Sequence, residues 1–289
     1  MSSHTLCANR TYTNDMADYL RPVSLDEALA ALARPWTVLA GGTDFYPARV
    51  GRAIDENVLD ITGIPDLRGI STGPWGWRLG ATTTWAELIE APLPPLFDGL
   101  KQAAREVGGR QIQNAGTVAG NLCNASPAAD GVPPLLALDA EVELAGPSGT
   151  RQLPLSAFIT GNRCTLLAPG ELLVAIRVPK PAHDARSAFL KLGARRYLVI
   201  SIAMAAATLE IEDGRVVGAR IAVGACSAVA QRLPALEGAL ARAPVAALAG
   251  RVDVAHLAPL SPIDDVRSSA AYRRDAVVIL LRRLLRGFA

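Results

Sequence analysis

Apolar residues along this chain recur first at helical and then at strand spacing. Leu25, Ala28, Leu29 and Leu32 fall three and four apart, the repeat of one buried helix face. Ser24 precedes them and Glu27 follows three residues later, a capping-box pattern, and Pro35 stops the helix. Thr37 to Ala40 and Val58 to Ile61 predict short strands, as does Arg78 to Ala81. Thr84 with Glu87 forms a second capping box, for a helix through Ile89. Leu100, Ala103, Ala104 and Val107 define the buried side of a helix over Asp98 to Val107. An apolar segment runs from Asp130 through Leu138, and strands are predicted at Glu141 to Leu144 and Glu171 to Val178.

Pro179-Lys180-Pro181-Ala182 interrupts regular structure and predicts a domain boundary, with one domain over 16–182 and a second over 183–289. Beyond it, Ala188 to Leu192, Met204 to Ile211 and Arg215 to Val223 read as strands. Asp213-Gly214 signals a hairpin between the last two. Helices are expected over Leu233 to Arg242, over Val245 to Gly250, and from Ser268 or Ser269 to about Arg286. The last combines Val277, Leu280, Leu281, Leu284 and Leu285 with Arg273, Arg274, Arg282, Arg283 and Arg286. It reads as an apolar face packed inward with solvated or partner-facing arginines, in preference to a membrane-surface helix. Residues 1–15 are polar and aperiodic, followed by an internal Met16, and read as a mobile tail or a consequence of start-site choice.

With 289 residues, half of them hydrophobic and 19% charged, the chain can bury a sizeable core. Its 29 basic and 27 acidic residues nearly cancel, which argues against a dedicated nucleic-acid binder. No apolar run approaches the roughly 18 residues of a membrane span, and the N-terminus lacks a secretory h-region, so a cytoplasmic location is expected. The four cysteines, Cys7, Cys123, Cys164 and Cys226, are too irregularly spaced for a zinc or iron–sulfur set, and the three histidines stand apart. No metal site and no nucleophile–base constellation is expected.

The candidate chemistry lies in two glycine-containing segments. Leu39-Ala40-Gly41-Gly42-Thr43-Asp44 ends a strand, and Gly116-Thr117-Val118-Ala119-Gly120-Asn121 opens a run rich in small polar residues up to Asp130. Glycine admits backbone angles and close approaches that other residues resist, and successive turn amides form anion-binding nests. Two such cradles suggest a dinucleotide held between them. Asp130 reads either as a cap of the following helix or as a ligand for sugar hydroxyls. Lys191 reads either as a surface lysine or as a cation facing the ligand. Trp36, Trp75, Trp77 and Trp85 read as packing residues, and Arg105 and Arg110 as surface charges.

Several features occur in a fixed order: Arg21-Pro22-x-Ser24-Leu25, Ala40-Gly41-Gly42-Thr43-Asp44, Thr117-Val118-Ala119-Gly120-Asn121, Asn124-Ala125-Ser126-Pro127-Ala128-x-Asp130 and Tyr272-Arg273-Arg274. Together they resemble the FAD-binding medium subunit of the molybdenum hydroxylases, the family of xanthine dehydrogenase and aerobic carbon monoxide dehydrogenase, from about Tyr19 to Leu285. The resemblance implies an α+β chain: a two-part FAD-binding domain of the vanillyl-alcohol-oxidase (PCMH) type, then a smaller α/β domain with an antiparallel sheet and helices. It implies non-covalent FAD contacts from Leu39, Ala40, Gly41, Gly42, Thr43, Asp44, Phe45 and Tyr46, from Thr117, Val118, Ala119, Gly120 and Asn121, and from Val107, Asp130, Leu173 and Lys191. Ala119 stands where glycine is usual, so the turn there must avoid positive φ. Val107 and Val199 also depart, from an aromatic and an acidic residue respectively.

The partners implied are an iron–sulfur small subunit with 2Fe-2S clusters and a large subunit carrying the molybdenum cofactor. Electrons would pass from the clusters through FAD to an external acceptor. The alternative is a stand-alone FAD-dependent oxidase or dehydrogenase of the vanillyl-alcohol-oxidase type acting directly on a small substrate. That would require a positioned base beside the flavin, and the scarcity of histidines counts against it.

Overall fold

The computed structural model describes residues 17–289; the expectation for residues 1–15 lies outside them. Among the described residues, three sheets carry the fold, beside a small two-stranded one of Ile159–Gly161 and Cys164–Thr165. Tyr19–Leu20 and Thr37–Leu39 both pair in parallel with a central Val58–Asp60 strand. The Leu25–Ala31 helix lies between the first two in sequence. Ser24 accepts from the Glu27 amide as the pattern predicts, but the Glu27 carboxylate reaches back to the amide of Val23 rather than to that of Ser24. This helix and sheet pack on Leu172 and Val174 of the next sheet.

The second sheet is antiparallel throughout, ordered Ile70–Gly73, Gly76–Gly80, Leu172–Pro179, Glu141–Gly146, Gly149–Pro154. Its central strand is buried from Leu172 to Ile176, and Phe97, Phe158, Leu135 and Trp85 fill the core beside it.

The third sheet is a meander of Ala185–Leu192, Ala203–Glu212, Arg215–Gly224 and Gln231–Arg232. Its hairpin turns at Asp213 and Gly214, with φ of 47° and 71°, the pair of positive angles that a two-residue turn of this hand requires. Alternation along Ala203–Glu212 sends Ala203, Ala205, Ala207 and Leu209 toward the final helix, and Met204 and Ala206 toward Ala103, Ala137 and Phe189. Both faces of the strand are therefore covered, and alanines let the helices come close. The final helix, Ala270–Arg286, is capped by Ser269, whose hydroxyl accepts from the Tyr272 amide, and it buries Val277, Leu280, Leu281, Leu284 and Leu285.

Three expectations are corrected. Val245–Arg251 is a 3-10 helix rather than an α-helix. Arg273 is not solvated: it is 1% exposed and turned into the protein. The run after Gly116 is not an open loop, because Val118–Asn124 is an α-helix, preceded by another at Arg110–Ala115. Both are short and of mixed polarity, so neither shows a helical repeat in the sequence. No helix among the described residues is long and apolar enough to cross a membrane.

Candidate functional site

The Thr37–Leu39 strand delivers its chain directly into Gly41-Gly42. A Cβ on Gly41 would lie 2.1 Å from the Ala115 carbonyl oxygen, so only glycine lets this segment rest on the second one. Gly42 has φ +70°, and a Cβ there would also strike the Tyr46 ring at 2.6 Å. Its carbonyl accepts from the Tyr46 amide at 3.1 Å, which closes the turn.

The second segment is anchored from below by the Thr82–Trp85 turn. The Trp85 amide donates to the Gly116 carbonyl at 3.1 Å, and the Val118 amide donates to the Thr83 carbonyl at 3.0 Å. Thr84 and Glu87 form the full capping box expected from the sequence, and Thr84 also bridges to Thr117. Thr117 then caps the Val118–Asn124 helix, its hydroxyl accepting from the Gly120 amide at 2.9 Å. Gly120 lies within that helix and is not at positive φ. Its need is local, since a Cβ would sit 2.7 Å from the Thr117 hydroxyl. Ala119 likewise has ordinary helical angles, as its Cβ requires.

Between the two segments lies an open cavity of about 410 Å³, a typical size for a small-molecule site. Leu39, Ala40, Gly41, Gly42, Thr43, Asp44 and Phe45 line one side; Thr117, Ala119, Gly120 and Asn121 line the other; Val107 and Leu173 close it. Gly116 and Asn124, which flank the second segment in the sequence motifs, also line the cavity, and Val38, Ile61, Ala81, Trp85, Ile112, Cys123, Leu167, Glu171 and Leu172, which the sequence did not single out, complete the lining. Most are apolar side chains whose spacing marks them only as core, so no signal separated them from packing residues.

Four of the expected contacts do not line the cavity. Val118 is fully buried in the core. Tyr46 is half exposed and packs edge-on against Phe45. Asp130 and Lys191 meet each other instead, with Lys191 Nζ donating to Asp130 Oδ2 at 2.7 Å. Neither reading that treated them as peripheral survives. The Lys191 side chain is only 6% exposed, and the helix after Asp130 starts at a Gly131 cap without side-chain help. Burial pushes the Asp130 carboxyl above its ordinary range, opposed by the Lys191 ammonium and by the Ser201 hydroxyl, which donates at 2.5 Å. Lys191 also donates to the carbonyls of Val199 at 3.1 Å and Glu106 at 3.4 Å. Because Val107 follows Glu106, the pair stands one residue behind the cavity wall.

The donor set suits an anion met by neutral groups. Among the described residues no lysine, arginine or histidine lines the cavity. The amides of Gly42, Thr43, Asp44 and Ala119 have no backbone acceptor among the described residues. Glu171, which with Asp44 supplies the acids among the described lining residues, is held by Arg151 at 2.6 Å, and that contact lowers its carboxyl from its ordinary range.

The family described as FAD binding domain in molybdopterin dehydrogenase matches residues 13–181. The chain belongs to this family. The remainder, residues 188–288, matches the CO dehydrogenase flavoprotein C-terminal domain. This FAD-binding subunit is 30% identical to the xanthine dehydrogenase FAD-binding subunit of Escherichia coli O157:H7, over 94% of its own length and 95% of that relative. It is 33% identical to the carbon monoxide dehydrogenase medium chain of Afipia carboxidovorans, over 92% and 94%. Among solved structures it resembles a chain of the carbon monoxide dehydrogenase of Hydrogenophaga pseudoflava that lacks the Mo-pyranopterin moiety of the molybdenum cofactor. There the TM-score is 0.83 at 30% identity, covering 94% of this chain and 97% of that one.

The two-part FAD-binding domain and the C-terminal domain expected from the sequence are those of this family, and the chain is an oxidoreductase subunit. Its relatives carry the names of subunits and medium chains, so the stand-alone oxidase reading is set aside. The residues present fit FAD: a glycine-dependent backbone approach of Gly41 to Ala115, a Gly42 turn at positive φ, unpaired amides suited to a pyrophosphate, and an apolar remainder suited to a ring system.

Proposed function

We propose that the cavity binds one FAD non-covalently, with Leu39 to Phe45 and Thr117, Ala119, Gly120 and Asn121 meeting the pyrophosphate and sugar portions and Val107 and Leu173 enclosing the ring. Asp130 and Lys191 bound the inner end of the site from behind the Glu106–Val107 wall. Tyr46 and Val118 support the two segments rather than touch the ligand. FAD, when bound, supplies the ability to take electrons singly or in pairs. In this reading electrons arrive from the 2Fe-2S clusters of a partner small subunit and leave to an external acceptor, while the substrate is hydroxylated on a molybdenum-bearing large subunit. Residues 16–182 form the FAD-binding domain and residues 183–289 the second domain, and the complex works in the cytoplasm.

The observation that carries the reading is the contact of Gly41 with Ala115, which brings two free-amide segments to opposite sides of one cavity. The chain's own contribution is to bind, orient and shield; among the described residues no nucleophile–base pair lines the cavity.

The test is to purify the chain alone and with co-expressed partners, release the flavin with acid and identify it. The preparations are then assayed for flavin bleaching by a panel of aldehydes and nitrogen heterocycles. One acid-released FAD per chain, with bleaching only when the partners are present, supports the reading. Bleaching of the isolated chain at a catalytically useful rate overturns the relay.

A further inference from the structure

Residues 193–201 connect two strands of the C-terminal sheet and stand beside the cavity wall. The Ile202 amide donates to the Leu192 carbonyl at 2.7 Å and closes them into a hairpin loop. The tip is exposed, with Tyr197 at 60%, Leu198 at 58% and Ile200 at 64%. An exposed loop of this kind would ordinarily move. Leu198 nevertheless has φ 51°, an uncommon angle for a residue with a branched side chain. Such angles persist where surrounding contacts over-determine them. Arg195 donates to the Leu198 carbonyl at 3.1 Å, and the Leu198 side chain reaches toward Gly109, two residues beyond Val107.

The descending arm of the loop is gripped at successive positions. Lys191 donates to the Val199 carbonyl at 3.1 Å, and the Ser201 hydroxyl donates to Asp130 at 2.5 Å. From the opposite side Arg267 donates to the Ser201 carbonyl at 3.0 Å. Arg273 donates to the Ile202 carbonyl at 2.6 Å and to the Ala225 carbonyl at 2.8 Å. Both guanidiniums are fixed by one carboxylate: Asp265 accepts from Arg273 at 2.6 Å and from Arg267 at 2.5 Å. Charge-assisted bonds of this kind from both guanidiniums make a rigid support, with only the buried Arg273 Nε left without a partner among the described residues.

We propose that Asp265, Arg267 and Arg273 are positioning residues that hold residues 193–201 as a fixed wall over the ring end of the flavin site, acting with Ser201 and the Asp130–Lys191 pair. This rests on the FAD reading above. Arg273 is thereby assigned a task that the Tyr272-Arg273-Arg274 motif did not reveal in the sequence. It reaches from the last helix to the loop's base rather than facing solvent or a partner.

Arg195 and Arg196 lie in the loop, so trypsin reports its mobility at two known bonds. The full chain, with and without added FAD, is compared with Arg267→Met and Ser201→Ala, which spare the fully buried Arg273. The expected result is a several-fold faster cleavage after Arg195 and Arg196 in both variants, with cleavage at other sites unchanged and with weaker protection by FAD than in the parent chain. A uniform rise at all sites, or rates after Arg195 and Arg196 within twofold of the parent in both folded variants, overturns the proposal. Failure of the parent chain to bind FAD would instead count against the FAD reading, since the cleavage comparison without FAD stands by itself.

Discussion

Lys191 and Asp130, 61 residues apart in sequence, meet at 2.7 Å in the interior and join the two domains' chains behind the cavity. Neither is exposed by as much as a tenth of its side chain, so each is the other's counter-charge in the interior. Lys191 spends its remaining donors on two backbone carbonyls, and Asp130 accepts from Ser201. The pair is a structural joint before it is anything else.

Removing one partner should therefore cost more than removing both. Asp130→Ala leaves a buried ammonium unpaired and should destabilise by about 3–5 kcal/mol. The double variant Asp130→Ala with Lys191→Met should recover a large part of that loss. Urea unfolding of the four proteins of the cycle checks this; strictly additive effects would show that the pair is not coupled.

Gly41→Ala and Gly42→Val should release FAD while leaving most of the fold intact. The first places a Cβ against the Ala115 carbonyl, and the second forces a β-branched residue to φ +70° against the Tyr46 ring. A loss of at least tenfold in affinity, about 1.4 kcal/mol, is expected. It is read as the flavin-to-protein absorbance ratio alongside circular dichroism. Full flavin content in either folded variant would contradict the cradle.

Asp265 should contribute stability with a defined acid limit. The hydrogen bond from Arg267 holds its carboxyl far below the ordinary range, helped by Arg273 and opposed by burial. Its folded-state value is thus depressed relative to an unfolded value near about 3.9, so the contribution is complete above that pH and is lost as pH falls below it. Tm measured from about pH 6 down to pH 3 should fall more steeply in the parent than in Asp265→Asn. Parallel curves would show that this carboxylate does not set the acid limb.

Ala205 is fully buried on the strand face that meets the final helix. Ala205→Leu should overfill that gap and cost about 1–3 kcal/mol, seen as a lower urea midpoint. A change below about 0.5 kcal/mol would mean that the helix sits loosely on the strand.

Much of this was written locally. The capping box at Thr84 and Glu87, the Asp213-Gly214 hairpin and the apolar stripe from Val277 to Leu285 depend on neighbours three or four residues away, so the sequence alone determines them. The glycine segments are similar in part: glycine at position 42 permits the positive φ found there, and most residues of both segments line one cavity. What only the tertiary structure decided is which distant residues meet. Gly41 needs to be glycine because Ala115 lies against it, and no local pattern contains that contact. Arg273 looks like its neighbour Arg274 in sequence, yet it is buried because Asp265 and two carbonyls are assembled around it by the packing of the last helix on the sheet. Asp130 and Lys191 could not be separated from a cap and a surface charge for the same reason. A charge's role is set by the dielectric and the partners around it, and those come from elements 61 residues apart in the chain.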